Sequence, residues 1–400
     1  MRTIYLDYAA ATPLSERVRS AMEKSYGDAY GNPSSMHHVG RHAHDVLEGY
    51  RARIAEALQV DTHEIIFTGS GTESANLALL GLARAHRRWG NHVIVSSVEH
   101  VAILAAAAQL ETEGFSVTYL PVDMYGAISC EDLRKALTPQ TILVSIMYAN
   151  NEIGTIQPIA DVVEICTTYR TDTHYPLVHT DACQAIGQLP VAPRLLGVDA
   201  LTLNSAKIYG PQGVGLLYVK RGVLLQPLIV GGSQERGLRA GTENVSLIAG
   251  FAAALCEAVA NTETYAAEMH ALQDYFIAHV KHEIPNISFN GHPVRRLSNN
   301  VHITIPDIEG ESLVLMLSEE GICCSTGSAC SSLELEPSHV LTAIGQPHDR
   351  IHGSLRFTFG NGITKEDLRY TVTVLSNVVR VLRSITACTT SVYKNQHVPV

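Results

Sequence analysis

Between residues 60 and 260, short apolar runs alternate with stretches of helical periodicity, and this alternation limits the possible folds more than any other feature of the chain. Most of the runs are apolar throughout, which is typical of strands covered on both faces of a mainly parallel sheet. The pattern therefore predicts an α/β fold with ligands bound at the carboxyl ends of the strands. The seven predicted strands are 64–68, 93–96, 117–120, 142–147, 177–180, 200–203 and 215–219.

Helices are predicted where apolar residues recur at helical spacing, at 35–60, 72–86 and 159–169. Beyond about residue 262 the pattern changes to long helices and to alternating strands at 301–305 and 354–359. Such alternation predicts a smaller α+β domain whose sheet has one covered face. We therefore expect a large domain at 15–262 and a small domain formed by 1–14 and 263–400, with a frayed tail from residue 389.

Composition excludes several classes of protein. The net charge of −10, with no long basic block, argues against direct nucleic-acid binding. No apolar run is long enough to span a bilayer, and the first residues lack the apolar core of a signal peptide, so a cytoplasmic location is expected. The eight cysteines include no C-x-x-C pair, and most are expected to be reduced, buried residues.

Two charged residues end predicted buried strands and point to one cofactor. Lys207 follows the run 200–203, where its amine loses hydration unless it is bonded, and a Schiff base with an aldehyde cofactor meets that need. Asp181 needs a donor, which either a helix N-terminus or a protonated pyridine nitrogen provides. A carboxylate paired with a pyridinium, upstream of a Schiff-base lysine, is the usual arrangement around pyridoxal 5′-phosphate (PLP). Gln184 is then placed to contact the phenolic oxygen of the ring.

Other strand ends offer further candidates. Gly71 and Thr72 lie in the turn Thr68-Gly69-Ser70-Gly71-Thr72, which opens a helix and suits either a phosphate or an ordinary N-cap. His100 can stack on an aromatic ring or be a structural histidine. One of the adjacent amides Asn150 and Asn151 can reach a cofactor oxygen, although both can equally make turn hydrogen bonds.

Cys330 lies in the small-residue segment Gly327-Ser328-Ala329-Cys330-Ser331-Ser332, which suits an exposed thiolate nucleophile, an incidental cysteine or half of a metal site. The glycine-rich segment 231–244 contains two arginines and suits contact with an anion, a second subunit or solvent. His38 and His42 share a helix face, but zinc needs a fuller set of ligands, so no metal is expected.

Taken together, these motifs resemble the cysteine desulfurases of the NifS/IscS type, within the class-V aminotransferase family of fold-type I PLP enzymes. The DNA-phosphorothioation branch (DndA-like) is one candidate within them. The resemblance covers nearly the whole chain and rests on several segments in one order. They are 5–13, 31–35, 71–74, 99–100, 150–154, 180–184, 236–242 and 328–330.

The resemblance implies a role for each candidate. Catalysis would use Lys207, which holds PLP, His100, which stacks on its ring, and Cys330, which attacks the substrate sulfur. The remaining cofactor contacts would come from Gly71, Thr72, Asn151, Asp181, Gln184 and Ser205, with Thr242 reaching in from the second subunit of a homodimer. The substrate L-cysteine would be held by Asn32, Asn151 and Arg356, and its sulfur would leave through a sulfur-acceptor protein.

One departure from the family pattern concerns the residues before the lysine. The family usually has Ser-Ala-His-Lys, whereas this chain has Asn204-Ser205-Ala206-Lys207. Ala206 replaces a histidine that helps to hold the phosphate, and the shifted Ser205 would face the opposite side of an extended segment. We therefore expect PLP to be retained less tightly than is usual in the family.

The resemblance implies conversion of L-cysteine to L-alanine, with a persulfide on Cys330. A selenocysteine lyase or another PLP-dependent lyase or aminotransferase is the alternative, although an aminotransferase needs no such thiol. A scaffold without turnover is a third hypothesis, supported only by the altered residues 204–206. The acceptor pathway can be iron–sulfur assembly, tRNA thiolation or DNA phosphorothioation, and the altered residues 204–206 favour a specialised branch such as DNA phosphorothioation.

Overall fold

The computed structural model describes residues 3–170, 175–326 and 337–395, with the backbone alone at 348–349 and 386–395. Across this part of the chain, the strands are β1 (Ile4–Tyr5), β2 (Ile65–Thr68), β3 (His92–Ser96), β4 (Ser116–Leu120), β5 (Thr141–Ser145), β6 (Leu177–Asp181), β7 (Ala200–Asn204), β8 (Gly215–Val219), β9 (Ser288–Asn290), β10 (Asn300–Thr304), β11 (Ile322–Cys323) and β12 (Ser354–Thr358). The helices are α1 (Glu16–Asp28), α2 (His38–Leu58), α3 (Gly71–His86), α4 (Val101–Thr112), α5 (Cys130–Ala136), α6 (Ile159–Tyr169), α7 (Pro193–Leu196), α8 (Val245–Ala260), α9 (Thr262–Glu283), α10 (Gly310–Glu319), α11 (His339–Ala343), α12 (His348–Ile351) and α13 (Lys365–Asn395).

The central sheet contains all seven strands predicted between residues 60 and 220, in the order β2-β8-β7-β6-β5-β3-β4. Strand β8 is antiparallel to both of its neighbours, and the other described pairs in this sheet are parallel. The prediction of a mainly parallel α/β sheet is therefore confirmed. Because these strands are parallel, their carboxyl ends lie at one edge of this sheet.

Both faces of the central sheet are covered, as its continuous apolar strands indicated. Ile66, Val93 and Leu143 belong to a buried cluster with α3 and α4. Side chains of the alternate positions, among them Phe67 and Val144, pack into a second cluster with α2, α6 and α8. Strand β4 is the exception because it lies at the edge of the sheet, where Tyr119 is 38% exposed.

The second sheet has the order β12-β10-β9 and is antiparallel. Its apolar face packs against α9 and α13 through Val301, Ile303 and Phe357. The expectation that only this face is covered was wrong, because His302 and Arg356 on the opposite face are also buried. Polar side chains bury there because each finds protein partners, for example Asn290 Nδ2 with His302 Nδ1 at 2.9 Å.

A separate hydrophobic core underlies this second sheet. It combines Ile4 and Leu6 with residues from α9, β10, α10, β12 and α13, and the chain bends by 72° between α8 and α9 at Asn261. The domain boundaries at 14/15 and 262/263 stay a prediction, with which this separate core agrees. The expectation of a frayed tail from residue 389 was wrong for residues 389–395, because they continue helix α13 to Asn395.

Candidate active site

The predicted cofactor residues follow different strands of the central sheet. His100 follows β3, Asp181 ends β6, Lys207 follows β7, and Gly71 opens the helix after β2. Because these strands end at one edge of the sheet, the topology brings the four residues together. Their charges interact as well, since the pKa of His100 responds to both Asp181 and Lys207.

Lys207 lies in a tightly held turn. Asn204 Oδ1 accepts a hydrogen bond from the Ala206 N–H (3.1 Å), which caps the single helical turn Ser205–Lys207 at the end of β7. The Lys207 amine donates to the carbonyl oxygens of Ala9 and Ala10, at 2.7 Å each. It is therefore anchored on the N-terminal segment, beside a cavity of about 240 Å³ that it lines.

Tyr209 fixes the backbone that follows Lys207. Its φ of 62° is in the left-handed region, which costs a non-glycine residue about 1–3 kcal/mol. Two contacts hold it there: its N–H donates to Thr12 Oγ1 (2.6 Å), and its hydroxyl accepts from the Asn361 N–H (2.7 Å). Tyr209 therefore helps to position Lys207, although nothing in its sequence context indicated this role.

His100 is held as the neutral imidazole. Its Nδ1 accepts from the Ala102 N–H (3.1 Å) at the start of α4, so the ring proton lies on Nε2. Burial lowers the pKa of His100, and the positive charge of Lys207 lowers it further, while Asp181 acts in the opposite direction. A neutral ring with an Nε2–H suits stacking on a flat cofactor and donation of a hydrogen bond.

Asp181 is 8% exposed, and its Oδ1 accepts from the Cys183 N–H (2.9 Å). Beneath it, His179 is fully buried between Ser145 Oγ (2.8 Å) and Thr202 Oγ1 (3.0 Å), and burial lowers the pKa of His179 to about 4. Among the described residues, no lysine or arginine forms an ion pair with Asp181. Its carboxylate therefore suits a cationic ring nitrogen.

The turn before α3 fits a phosphate group. Ser70 Oγ accepts from the Glu73 N–H, which leaves the earlier N–H groups of the helix for a ligand. Gly71 is buried, and a Cβ added there would lie 3.1 Å from both Cys183 Sγ and Asn204 Cβ. Thr72 next to it is exposed and offers a hydroxyl at the helix N-terminus.

The two adjacent amides have different roles. Asn150 makes turn hydrogen bonds, since its Nδ2 donates to the Val98 carbonyl and its Oδ1 accepts from the Glu152 and Ile153 N–H groups. Asn151 instead contributes its carbonyl oxygen to Arg356 Nη1 (2.9 Å). Of the two, Asn151 is the one whose side chain is left for a ligand.

The remaining predicted ligands differ in how near they lie to Lys207. Gln184 Nε2 donates to the Ala9 carbonyl (3.0 Å), next to Lys207. Asn32 is exposed, and its Oδ1 accepts from the Ser34 N–H (2.9 Å). Its side chain therefore makes a local turn contact and not a contact with Arg356. Thr242 is exposed as well, as expected of a residue that serves a second subunit.

Ser205 is a predicted ligand whose hydroxyl is buried. Its hydroxyl is buried without a partner among the described residues, and it packs directly against Gly210 on the side of α8. The side chain of Ser205 therefore points toward Gly210 within the single helical turn that follows β7, and its role as a cofactor ligand stays a prediction. Cys330 lies outside the described residues.

Arg356 is 3% exposed and forms an ion pair with Asp7, with 2.8 Å between its Nη2 and the Asp7 Oδ1. Its backbone pairs with Ser325, shortly before the segment that contains Cys330. Asp7 and the N-terminal segment were missed as parts of the site, because only the tertiary fold brings them to Lys207 and Arg356.

Glu99 is a second buried acid that the motifs did not single out. Its Oε1 accepts from Ser96 Oγ (2.6 Å) and the Met147 N–H (2.8 Å), and burial raises the pKa of Glu99 to about 8. It therefore ties the end of β3 to the chain after β5, directly before His100.

The described residues form neither a metal site nor a single membrane-spanning helix. No group of three or more potential ligands is arranged to hold a metal ion. No single described helix has the length and hydropathy of a membrane span. Helices α8 and α9 reach that length and hydropathy only when both are counted together, and they are bent at Asn261.

Comparison with known proteins identifies the family. The model of the class-V aminotransferases matches residues 4–370. The chain is 48% identical to the cysteine desulfurase IscS of Dictyoglomus turgidum, covering 96% of each chain. It is 46% identical to the cysteine desulfurase IscS of Methanosarcina thermophila, covering 98% of this chain and 96% of the relative.

Solved structures agree. A NifS-like protein superimposes with a TM-score of 0.88 at 35% identity, covering 95% of this chain and all of its own (100%). The structure of SspA in complex with cysteine gives 0.77 at 34% identity, with coverages of 89% and 99%. DndA from Streptomyces lividans gives 0.74 at 32% identity, also with 89% and 99%. The chain therefore belongs to the class-V aminotransferase family, as a cysteine desulfurase of the NifS/IscS type.

Proposed function

We propose that this protein uses PLP to convert L-cysteine into L-alanine, and that Cys330 captures the sulfur as a persulfide for an acceptor protein. The principal support is the convergence of Lys207, Asp181 and His100 at one sheet edge, with the guanidinium of Arg356 beside them. The cysteine-bound SspA neighbour adds support for the substrate.

The residues at this edge fit PLP by their chemistry. The N-terminus of α3 at Gly71 and Thr72 would hold the phosphate, Asp181 the ring nitrogen, and Lys207 the aldehyde carbon. His100 would cover the ring, while Asn151 and Gln184 would lie near its oxygen. When bound, PLP withdraws electrons from the substrate Cα and so makes its proton acidic.

The chain's own groups then have defined tasks. Arg356 would bind the substrate carboxylate, which fixes the orientation of the Cα–H bond. The Lys207 amine would accept the α-proton, since Lys207 is half-buried next to the site and its amine is held by the carbonyl oxygens of Ala9 and Ala10. His100 Nε2–H would donate a hydrogen bond to the reacting substrate from above the ring.

The sulfur step balances as a transfer between two thiols. The Cβ–S bond of cysteine breaks as the Cys330 sulfur attacks the substrate sulfur, and an S–S bond forms on the enzyme. The substrate Cβ gains a proton and becomes the methyl group of alanine. Free cysteine and the Cys330 thiol thus give alanine and a persulfide, with no external oxidant or reductant.

Purified protein supplied with PLP and L-cysteine tests this proposal. We expect alanine to form and the persulfide to appear on the peptide that contains Cys330. The Cys330→Ala variant should lose persulfide formation, whereas Cys130→Ala, which removes a half-buried thiol elsewhere, should retain it. Alanine formation without dependence on Cys330 would instead favour another PLP-dependent lyase, and no reaction at all would favour the scaffold.

We also propose that the active form is a homodimer. Several large apolar side chains are exposed in the single chain, including Tyr30 at 77%, Met36 at 82% and Val230 at 80%. Burial of such a surface is favourable, and Thr242 would then reach the second subunit's phosphate site. Sedimentation of the purified protein tests this, and a monomer would contradict it.

The acceptor is a protein, and we favour an acceptor of the kind that IscS desulfurases supply with sulfur. The two IscS relatives described above are 48% and 46% identical to this chain, whereas DndA is 32% identical. Sulfur transfer to purified acceptor proteins distinguishes the three pathways, which are iron–sulfur assembly, tRNA thiolation and DNA phosphorothioation. With a net charge of −10, the chain would serve a DNA pathway through a partner protein, and it would act in the cytoplasm.

A further inference from the structure

We infer that Asp7 sets the affinity of the site for carboxylates, because it is the resident counter-ion of Arg356. The inference rests on the proposed function, in which Arg356 binds the α-carboxylate of cysteine. The Asp7–Arg356 ion pair joins Oδ1 and Nη2 at 2.8 Å, and the side chains are 20% and 4% exposed. A substrate carboxylate that reaches Arg356 therefore meets a guanidinium that already has a carboxylate partner.

The backbone of Asp7 is held firmly, so the segment that carries this carboxylate stays next to Arg356 when substrate arrives. Its carbonyl oxygen accepts from the Tyr5 hydroxyl (3.0 Å) and from the Ala10 N–H (3.0 Å). Its backbone forms a bridge with Thr358, and the Thr358 N–H donates to the Leu6 carbonyl (2.8 Å). The N-terminal segment is thus hydrogen-bonded to β12, the strand that contains Arg356.

Arg356 still has donors for a second carboxylate. Its Nη1 donates to the Asn151 carbonyl and its Nη2 to Asp7, while its Nε is buried without a partner among the described residues. A guanidinium has five N–H groups, so Asp7 and a substrate carboxylate can bind it at the same time. The two carboxylates then repel each other across one cation.

This repulsion has a measurable consequence. In the Asp7→Asn variant the amide oxygen can still accept from Nη2, but the negative charge is gone. Arg356 then becomes an uncompensated cation, and carboxylate binding tightens. We expect a gain on the order of tenfold in affinity, since Asp7 is partly exposed and its charge is partly screened.

Binding of the product L-alanine to PLP-loaded protein, measured by calorimetry, tests the inference. Asp7→Asn should lower the Kd for L-alanine, while Asp7→Glu, which keeps the charge, should not. L-Alaninamide has the same size but lacks the carboxylate, so its affinity should stay equal or fall. Asp61→Asn is the matched control, because Asp61 forms an exposed pair with Arg194 far from the site.

The outcomes separate a charge effect from structural damage. Damage to the fold would weaken the binding of both ligands. A lower Kd for L-alanine alone therefore supports the inference. An unchanged or weaker Kd for L-alanine in Asp7→Asn, or an equal gain for L-alaninamide, overturns it. Turnover of L-cysteine by the wild-type protein is measured in parallel, and its absence would refute the proposed function instead.

Discussion

Gly71→Ala provides a sharp test of how the phosphate turn is built. Gly71 begins α3 and packs against the end of β7 and the chain after β6. A Cβ at this position would lie 3.1 Å from Cys183 Sγ, 3.1 Å from Asn204 Cβ and 3.2 Å from Asn204 Nδ2. Carbon atoms in contact prefer separations of about 3.5–4.0 Å, so the N-terminus of α3 must move away from these neighbours.

The magnitude follows from two opposing effects. Overpacking a closely packed interior site costs ~1–3 kcal/mol. Alanine in place of glycine in a helix returns about 0.5–1 kcal/mol. The net loss of about 1–2 kcal/mol falls on the turn that would hold the phosphate. We therefore expect the Kd for PLP to rise roughly tenfold, which corresponds to about 1.4 kcal/mol.

The assay is a titration of cofactor-free protein with PLP, followed by absorbance, together with urea unfolding. Gly49→Ala in α2 is the matched control, because a Cβ there meets nothing within 4 Å. It should stabilise the protein by up to about 1 kcal/mol and leave PLP binding unchanged.

Cys183→Ala removes one of the close contacts, so it should reduce the penalty of Gly71→Ala in a double-mutant cycle. Wild-type PLP affinity in Gly71→Ala, or a penalty unaltered by Cys183→Ala, would refute this description of the turn.

Three further predictions follow from the described contacts. Arg51→Met should reduce the free energy of unfolding by about 3–5 kcal/mol, because it leaves Glu235 buried without its two 2.8 Å bonds, whereas Arg19→Met, in the exposed pair with Glu16, should have little effect. Wild-type protein should lose PLP on dialysis, and Ala206→His should slow that loss; full retention by the wild type, seen in the cofactor absorbance, would contradict this. Burial lowers the pKa of His179 to about 4, so the unfolded chain binds the extra proton below about pH 6.5 and stability should fall as the pH drops from there through 4. His179→Asn should flatten that slope in urea unfolding, and an unchanged slope would count against it, while His270→Asn, at an exposed position, serves as the control.

The central sheet was predictable because its strands differ sharply from their surroundings. Residues 215–219 are continuously apolar and buried on both faces, so their sequence specifies the strand without tertiary information. The second sheet was only partly predictable. Its strands alternate as a half-exposed strand does, but the polar positions, such as His302, are buried by other parts of the chain.

The site was predictable where chemistry requires a particular residue at a strand end. Lys207 and Asp181 stood out because a charge at the end of a buried strand needs a partner. Asp7 did not stand out, because a short N-terminal segment gives no sign of where it will pack. Ser205 was placed among the cofactor ligands by resemblance, and its actual direction is set by packing against Gly210.

Trapping the cofactor on the chain tests the central claim most directly. Protein loaded with PLP is reduced with borohydride, digested and mapped by mass spectrometry. We expect the pyridoxyl group on the peptide that contains Lys207, and its loss in the Lys207→Ala variant. A label on Lys220 instead, or no stable label after PLP has been supplied, would contradict the assignment of this site.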